Sequence, residues 1–207
     1  MKLKSKDVAI AGLFIAIVAV MTFVPMLGMI PLVFLSVNVV LVPILVCAQT
    51  TNPLVSVIVS TFFGLFSMIR AYVNPAGAGI LYFAVQNPLV SVLPRAMIGL
   101  VAHYSYRGLK KLFKNKTEED ELSYGFGKRL KKNAIPSVIS AILGTATNTL
   151  LFLGMLVLIY NGDVLSTGTA IGLPWAMGVV ATNFLPEVIV AAITVPLIVS
   201  AVERAVR

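Results

Sequence analysis

The chain has 207 residues, 58% of them hydrophobic and only 12% charged, and its 16 Lys and Arg outweigh 8 Asp and Glu to give a net charge of +8. A soluble domain carries about twice that charged fraction. With a mean hydropathy of +0.97, the composition excludes a soluble globular protein and points to an all-α polytopic membrane protein.

Spans are expected at about 8–27, 32–48, 53–72, 88–108, 134–160 and 174–202, each close to the ~20 residues that a ~30 Å hydrocarbon core requires. They would form a six-transmembrane-helix bundle, a single membrane-embedded domain over 1–207. The first segment has the basic head and apolar core of a secretory signal. It reads Met21-Thr22-Phe23-Val24-Pro25 where a small-x-small cleavage site would stand, so a retained span is expected. Small residues at Ala9, Gly12, Ala16 and Ala19 form one helical stripe. Such a stripe suits close approach of a helix, either inside the bundle or from a separate membrane subunit.

The hexapeptide Asn-Pro-Leu-Val-Ser-Val occurs at 52–57 and again at 87–92. Asn52 and Asn87 are placed to cap, and Pro53 and Pro88 to take the first helical position, so the repeat predicts two helix starts. Pro174 predicts a third.

All Lys and Arg except Arg70 and Arg95 fall at the N-terminus, in the segment 107–132, or at the C-terminus. With six spans they share one side, which predicts cytoplasmic termini and a cytoplasmic basic loop at 109–133. The net charge thus reads as a topology signal and not as a nucleic-acid footprint. The acidic cluster Glu118-Glu119-Asp120-Glu121 is expected in a solvated loop. Segments 25–31, 73–87 and 161–173 then face outward, and the latter two are long enough to act as lids.

The two remaining arginines approach the same external third of the membrane. Arg70 lies about 25 Å along the outward-running third span, and Arg95 about 10 Å below the start of the inward-running fourth. A buried arginine at mid-membrane costs ~2.5–3.5 kcal/mol on insertion scales, so it faces protein or a watery cavity. Asn148 and Asn183 fall in that layer, Glu187 one turn deeper, and Asn87, Trp175 and Tyr82 at its outer rim. Pro94 leaves one carbonyl of the fourth span without its helical donor. Together these residues predict a small, externally open, net positive pocket for a carboxylate ligand. Plainer roles stay open: snorkelling for Arg70, a structural pair between Arg95 and Glu187, interhelical hydrogen bonds for the asparagines, and an interfacial belt for the aromatics.

No phosphate loop, H-E-x-x-H motif or nucleophile elbow is present, and the sole histidine, His103, has no metal-binding companion. The lone Cys47 reads as an apolar filler. No enzyme, metal or cofactor is expected.

The stretches "FGLFSMIRA" at 63–71 and "YFAVQNPLVSVLPRAMIGLVA" at 82–102 resemble the substrate-binding (S) components of bacterial energy-coupling factor vitamin transporters, most closely the pantothenate-type members. The specific motif covers 63–102; over the rest of the chain the likeness is one of topology. The resemblance implies a multi-pass protein of the bacterial plasma membrane that captures a vitamin at the outer face. It also implies partners, a membrane coupling subunit and two cassette ATPases, whose ATP hydrolysis topples the loaded bundle to release vitamin inside. The family's A-x-x-x-A docking stripe on the first helix corresponds here to Gly12-x-x-x-Ala16, flanked by Ala9 and Ala19, a small-x-x-x-small match rather than an exact one. The second span departs from the family pattern, leaving Asn38 as its central polar residue. Folate, biotin or lipoate-like vitamins remain alternatives to pantothenate. A self-sufficient secondary carrier, or an assembly factor binding no small molecule, remain alternatives to the whole reading.

Overall fold

The computed structural model describes residues 4–24, 27–32, 35–75, 81–114, 126–165 and 170–205. The acidic cluster at 118–121, together with Lys2, Lys116 and Arg207, lies outside them, as do parts of all three segments expected to face outward.

Helix α1 (Ser5–Phe23) begins where Asp7 accepts the Lys4 backbone N–H at 3.0 Å, an acid placed at the positive end of the helix dipole. Ala11, Val18 and Thr22 form its buried stripe against α3 (Pro53–Val73), while Val8, Leu13, Ile17 and Val20 point outward. Exposed apolar side chains in such number mark a lipid-facing wall.

The segment expected as a second span is built differently. Strands β1 (Met29–Leu32) and β2 (Leu35–Asn38) pair antiparallel, with Met29 opposite Asn38, and only then does α2 (Leu41–Thr50) begin. At ten residues α2 is about 15 Å long, half a membrane's thickness. It is buried nearly all round, from Leu41 through Gln49, and acts as the spine of the main core. An apolar run cannot by its hydropathy alone be assigned to a membrane span, a strand or a core helix, which is why 32–48 read as one continuous span.

Helices α3 and α5 (Pro88–Lys114) pack closely through small residues. Ser56 donates to the Gly99 carbonyl at 2.8 Å and Ser91 to the Gly64 carbonyl at 2.9 Å. Between them lies the short α4 (Tyr82–Val85). Both Asn-Pro signals do open helices, but by different means. Asn87 caps, its Oδ1 accepting the Leu89 N–H at 3.0 Å. Asn52 makes no side-chain cap and donates instead to Asp7 Oδ1 at 3.0 Å, tying α3 to α1.

Helix α6 (Phe126–Tyr160) packs between α5 and α8, with Ser140 donating to the Ala102 carbonyl at 2.7 Å. The basic segment 109–133, expected as a loop, is therefore helical at both ends, in keeping with the good helix propensity of lysine and arginine. Past α6, α7 (Leu173–Val179) runs through a π turn at Val180–Phe184 into α8 (Leu185–Ala205). Pro186 has no N–H to return to the Thr182 carbonyl, and the widened turn absorbs that loss.

The architecture is thus helical, with one β-hairpin among the described residues. Among the described residues four segments are long and apolar enough to cross a membrane: Ser5–Phe23, Pro53–Val73, Ala134–Tyr160 and Leu173–Arg204. Helix α5 has the length, but Arg95 and His103 interrupt its apolar character.

Candidate functional site

The site grows from a proline. In an α-helix the Val90 carbonyl would take the N–H of residue 94, and Pro94 has none. Arg95 fills the gap itself: its Nη1 donates to the Val90 carbonyl at 2.7 Å. This bond folds the guanidinium back along its own helix. The Phe152 ring lies 4.4 Å from the guanidinium carbon and the Phe63 ring 5.9 Å, so two aromatic faces flank the cation. Arg95 is only 8% exposed, and its Nε has no partner among the described residues.

A cavity of about 80 Å³ opens beside it. Arg95 and Arg70 both line it, with Phe63 and Ser67 from α3, Thr22 from α1, Asn38 at the end of β2, Val40 just after it, and Val85 from α4. Phe63, Ser67 and Arg70 follow the i, i+4, i+7 stripe of one helix face. Gly28 makes the hairpin's approach possible, since a Cβ there would clash with the Met21 carbonyl oxygen.

Of the other candidates, Asn148 is buried on α6 with its Oδ1 unpartnered among the described residues, and Thr145, one turn away on the same face, has its Oγ1 likewise unpartnered. Phe152 continues that face, so α6 turns Thr145, Asn148 and Phe152 the same way. Asn38 Oδ1 is likewise buried and unpartnered. Glu187 meets the backbone N–H of Asn38 and the field of Arg95, but no direct ion pair joins it to Arg95. Among the described residues, therefore, no contacting carboxylate cancels the charge of Arg95.

The outer-rim candidates stand apart from the cavity lining. Asn87 donates to the Tyr160 hydroxyl at 3.4 Å. Trp175 packs on the outer apolar cluster that also holds Phe152, Phe83 and Tyr160. Tyr82 is largely exposed, with its ring edge-on to Phe83. Asn183 sits in the π turn and donates to Thr182 Oγ1 at 3.4 Å. Reasoning from sequence did not single out Phe63, Ser67, Thr145 or Phe152. The helical stripes through Arg70 and Asn148 carried that signal.

Residues 6–199 match the family model for the substrate-specific component of ECF transporters. The chain belongs to this family. It is a family of transport proteins and not of enzymes, which accords with the absence of catalytic motifs. The S component described here is also 26% identical over 197 residues to the pantothenate transporter PanT of Leuconostoc mesenteroides subsp. mesenteroides, covering 93% of this chain and 89% of that protein.

Pro94 gives a direct test of how the S component holds its guanidinium. Pro94→Ala returns a main-chain donor to the Val90 carbonyl, so Arg95 loses its sole claim on that acceptor. A hydrogen bond to a charged group contributes ~1.5–3 kcal/mol. The expected outcome is a roughly tenfold loss of ligand affinity by titration calorimetry, with helix content by circular dichroism unchanged or raised.

Proposed function

We propose that this S component captures pantothenate, or a vitamin of closely similar chemistry, at the outer face of the bacterial plasma membrane. In this reading the chain crosses the membrane six times with both termini cytoplasmic, the second crossing being made by the hairpin and the short α2 together and not by one continuous helix, and it delivers its ligand inward with a coupling subunit and two cassette ATPases. The observation that carries the reading is the buried, incompletely bonded Arg95 at the wall of a cavity it shares with Arg70. A carboxylate meeting that guanidinium would gain a charge-assisted pair in a low-dielectric setting. The unpartnered oxygens of Asn38, Asn148 and Thr145 suit the amide N–H and hydroxyl donors of pantothenate. The 26% identity to the Leuconostoc protein favours this vitamin over folate, biotin or lipoate-like compounds.

The cavity is far smaller than the roughly 300–1,000 Å³ of typical ligand pockets. Admitting a vitamin therefore requires its walls to move. The hairpin, α4 and the outer cluster around Trp175, Tyr82, Asn87 and Asn183 are the parts placed to do so, as lids over the buried groups. Glu187, held by the hairpin backbone, would position β2 against α8.

Mass spectrometry of small molecules co-purifying with the detergent-solubilised chain tests the proposal, followed by titration with pantothenate, biotin, folate and lipoate. Pantothenate is the expected binder. Tight binding of another vitamin alone would overturn the ligand, and binding of none would overturn the function.

The partner interface draws support from α1. Ala9, Gly12 and Ala16 are exposed and Ala19 is half-buried, and a Cβ on Gly12 would meet nothing within 4 Å. The stripe is thus not spent on packing within the chain. Gly12→Leu is expected to leave vitamin affinity within twofold of wild type while reducing ATP-driven uptake in co-expressing cells at least tenfold. Unchanged uptake would remove α1 from the partner interface.

A further inference from the structure

A second and much larger cavity, of about 760 Å³, lies at the opposite end of the bundle from the outer apolar cluster. Its walls come from the start of α1, the end of α2, the start of α3, and the C-terminal parts of α5 and α8. Lys4, Lys6 and Arg107 stand around it, and Ile10, Leu13 and Phe14 of α1 form its apolar side.

The polar groups of this cavity divide into two kinds. The donors of the uncharged side chains are used within the fold. Thr50 and Thr51 donate to the carbonyls of Val46 and Cys47, Asn52 Nδ2 donates to Asp7, and the other carboxylate oxygen of Asp7 accepts the Lys4 N–H. The three cations are different. Among the described residues none of them forms an ion pair, whereas nearby Lys110 is held by Glu203 at 2.8 Å. Against these three cations the cavity lining sets one acid, Asp7, so its net charge is positive. The apolar side runs directly onto the lipid-facing wall of α1, where Leu13 is 61% exposed.

We propose that this cavity is a binding site for one anionic phospholipid of the cytoplasmic leaflet. Its phosphodiester sits among Lys4, Lys6 and Arg107, and an acyl chain lies along Ile10, Leu13 and Phe14. Basic cavities between helices on the cytoplasmic side are suited to anionic head groups. The volume falls within the roughly 300–1,000 Å³ typical of ligand pockets. A protein segment would bring main-chain donors and acceptors that the committed threonines and Asn52 do not serve. A lipid needs only charge at one end and apolar surface at the other. The site rests on the cytoplasmic placement of the termini and not on the identity of the vitamin, so its failure leaves the vitamin-binding reading intact.

Native mass spectrometry of the full chain, delipidated and then exposed to phosphatidylglycerol or phosphatidylcholine, tests the proposal. One retained phosphatidylglycerol is expected in clear preference to phosphatidylcholine. Each basic side chain near an anionic surface contributes on the order of fivefold, so the triple variant Lys4→Gln, Lys6→Gln, Arg107→Gln should lose about 100-fold of that preference. Should the triple variant fail to fold, Ile10→Trp keeps all three cations and narrows the acyl groove, and it too should release the lipid. Equal retention of both lipids would overturn the proposal, as would an unchanged preference in the folded triple variant or, if it does not fold, in Ile10→Trp. Soluble glycerol phosphate binding as tightly as the lipid would make this a free phosphoester site instead. If the triple variant keeps its lipid preference and fails to assemble with its partner subunits, the groove belongs to a protein.

Discussion

Arg95→Ala is expected to lower vitamin affinity by roughly 10²–10⁴-fold while the protein still inserts and purifies as a folded monodisperse species. Removing one member of a buried charge pair costs ~3–5 kcal/mol, and each 1.4 kcal/mol is about tenfold in affinity. The ligand-free protein should respond in the opposite direction. In wild type the guanidinium is buried with its Nε unpartnered and no contacting carboxylate, a cost that the binding pocket carries in the absence of ligand. Arg95→Met, which keeps most of the side-chain volume between Phe63 and Phe152, should therefore melt higher than wild type without vitamin and gain nothing when vitamin is added. Arg95→Lys retains charge but not the planar fork, and its Nζ is less suited to hold the Val90 carbonyl and a carboxylate together, so a loss beyond tenfold is expected. Titration calorimetry and detergent-phase melting curves of the three variants separate these outcomes. A ligand-free Arg95→Met protein that melts well below wild type and binds vitamin normally would assign Arg95 to architecture alone.

Gly64→Val, although outside the cavity lining, should be strongly damaging, costing about 3 kcal/mol, the upper end of usual overpacking penalties. A Cβ at Gly64 would lie 2.7 Å from Val92 Cα and 2.8 Å from the Ser91 carbonyl oxygen. Both are main-chain atoms, which cannot rotate aside, so α3 and α5 must separate. Separation also breaks the bond from the Ser91 hydroxyl to the Gly64 carbonyl. The same Cβ would come 3.3 Å from Arg95 Cβ, and Phe63 is the adjacent residue, so the damage reaches the site. Lower thermal stability together with at least tenfold weaker vitamin binding is the expected pair of results. Gly154→Val, where a Cβ meets nothing within 4 Å, is the matched control and should change both by little. If Gly64→Val and Gly154→Val behave alike, the close α3–α5 contact is not what holds Arg95 in place.

Local chemistry made much of this legible in the sequence. Pro53 and Pro88 open α3 and α5 because a missing N–H and a fixed φ act wherever they occur. Pro94 frees a carbonyl for the same local reason, although only the folded side chain of Arg95 shows what takes it. The placing of Arg70 and Arg95 near one another from helix rise alone agrees with the cavity they share. The segment 32–48 was not legible. Whether its apolar residues meet lipid, a second strand or the inside of a bundle depends on neighbours distant in sequence, and here those neighbours enclose α2. Asn183 and Glu187 were placed by assuming an uninterrupted helix, and the π turn at Val180–Phe184 alters their facing.

By itself the amino-acid sequence determined that this is a helical membrane protein of the ECF S-component family with two arginines misplaced for mere topology. Hydropathy, proline and charge act residue by residue or over one span, so they survive without a fold. Only the tertiary structure decided that Arg95 would be flanked by Phe63 and Phe152, left without a contacting acid, and set beside a cavity closed by a hairpin. Those relations join α1, the hairpin, α3, α5 and α6. Contacts between elements depend on how helices rotate and how near they approach, and small residues such as Gly28 and Gly64 govern that approach.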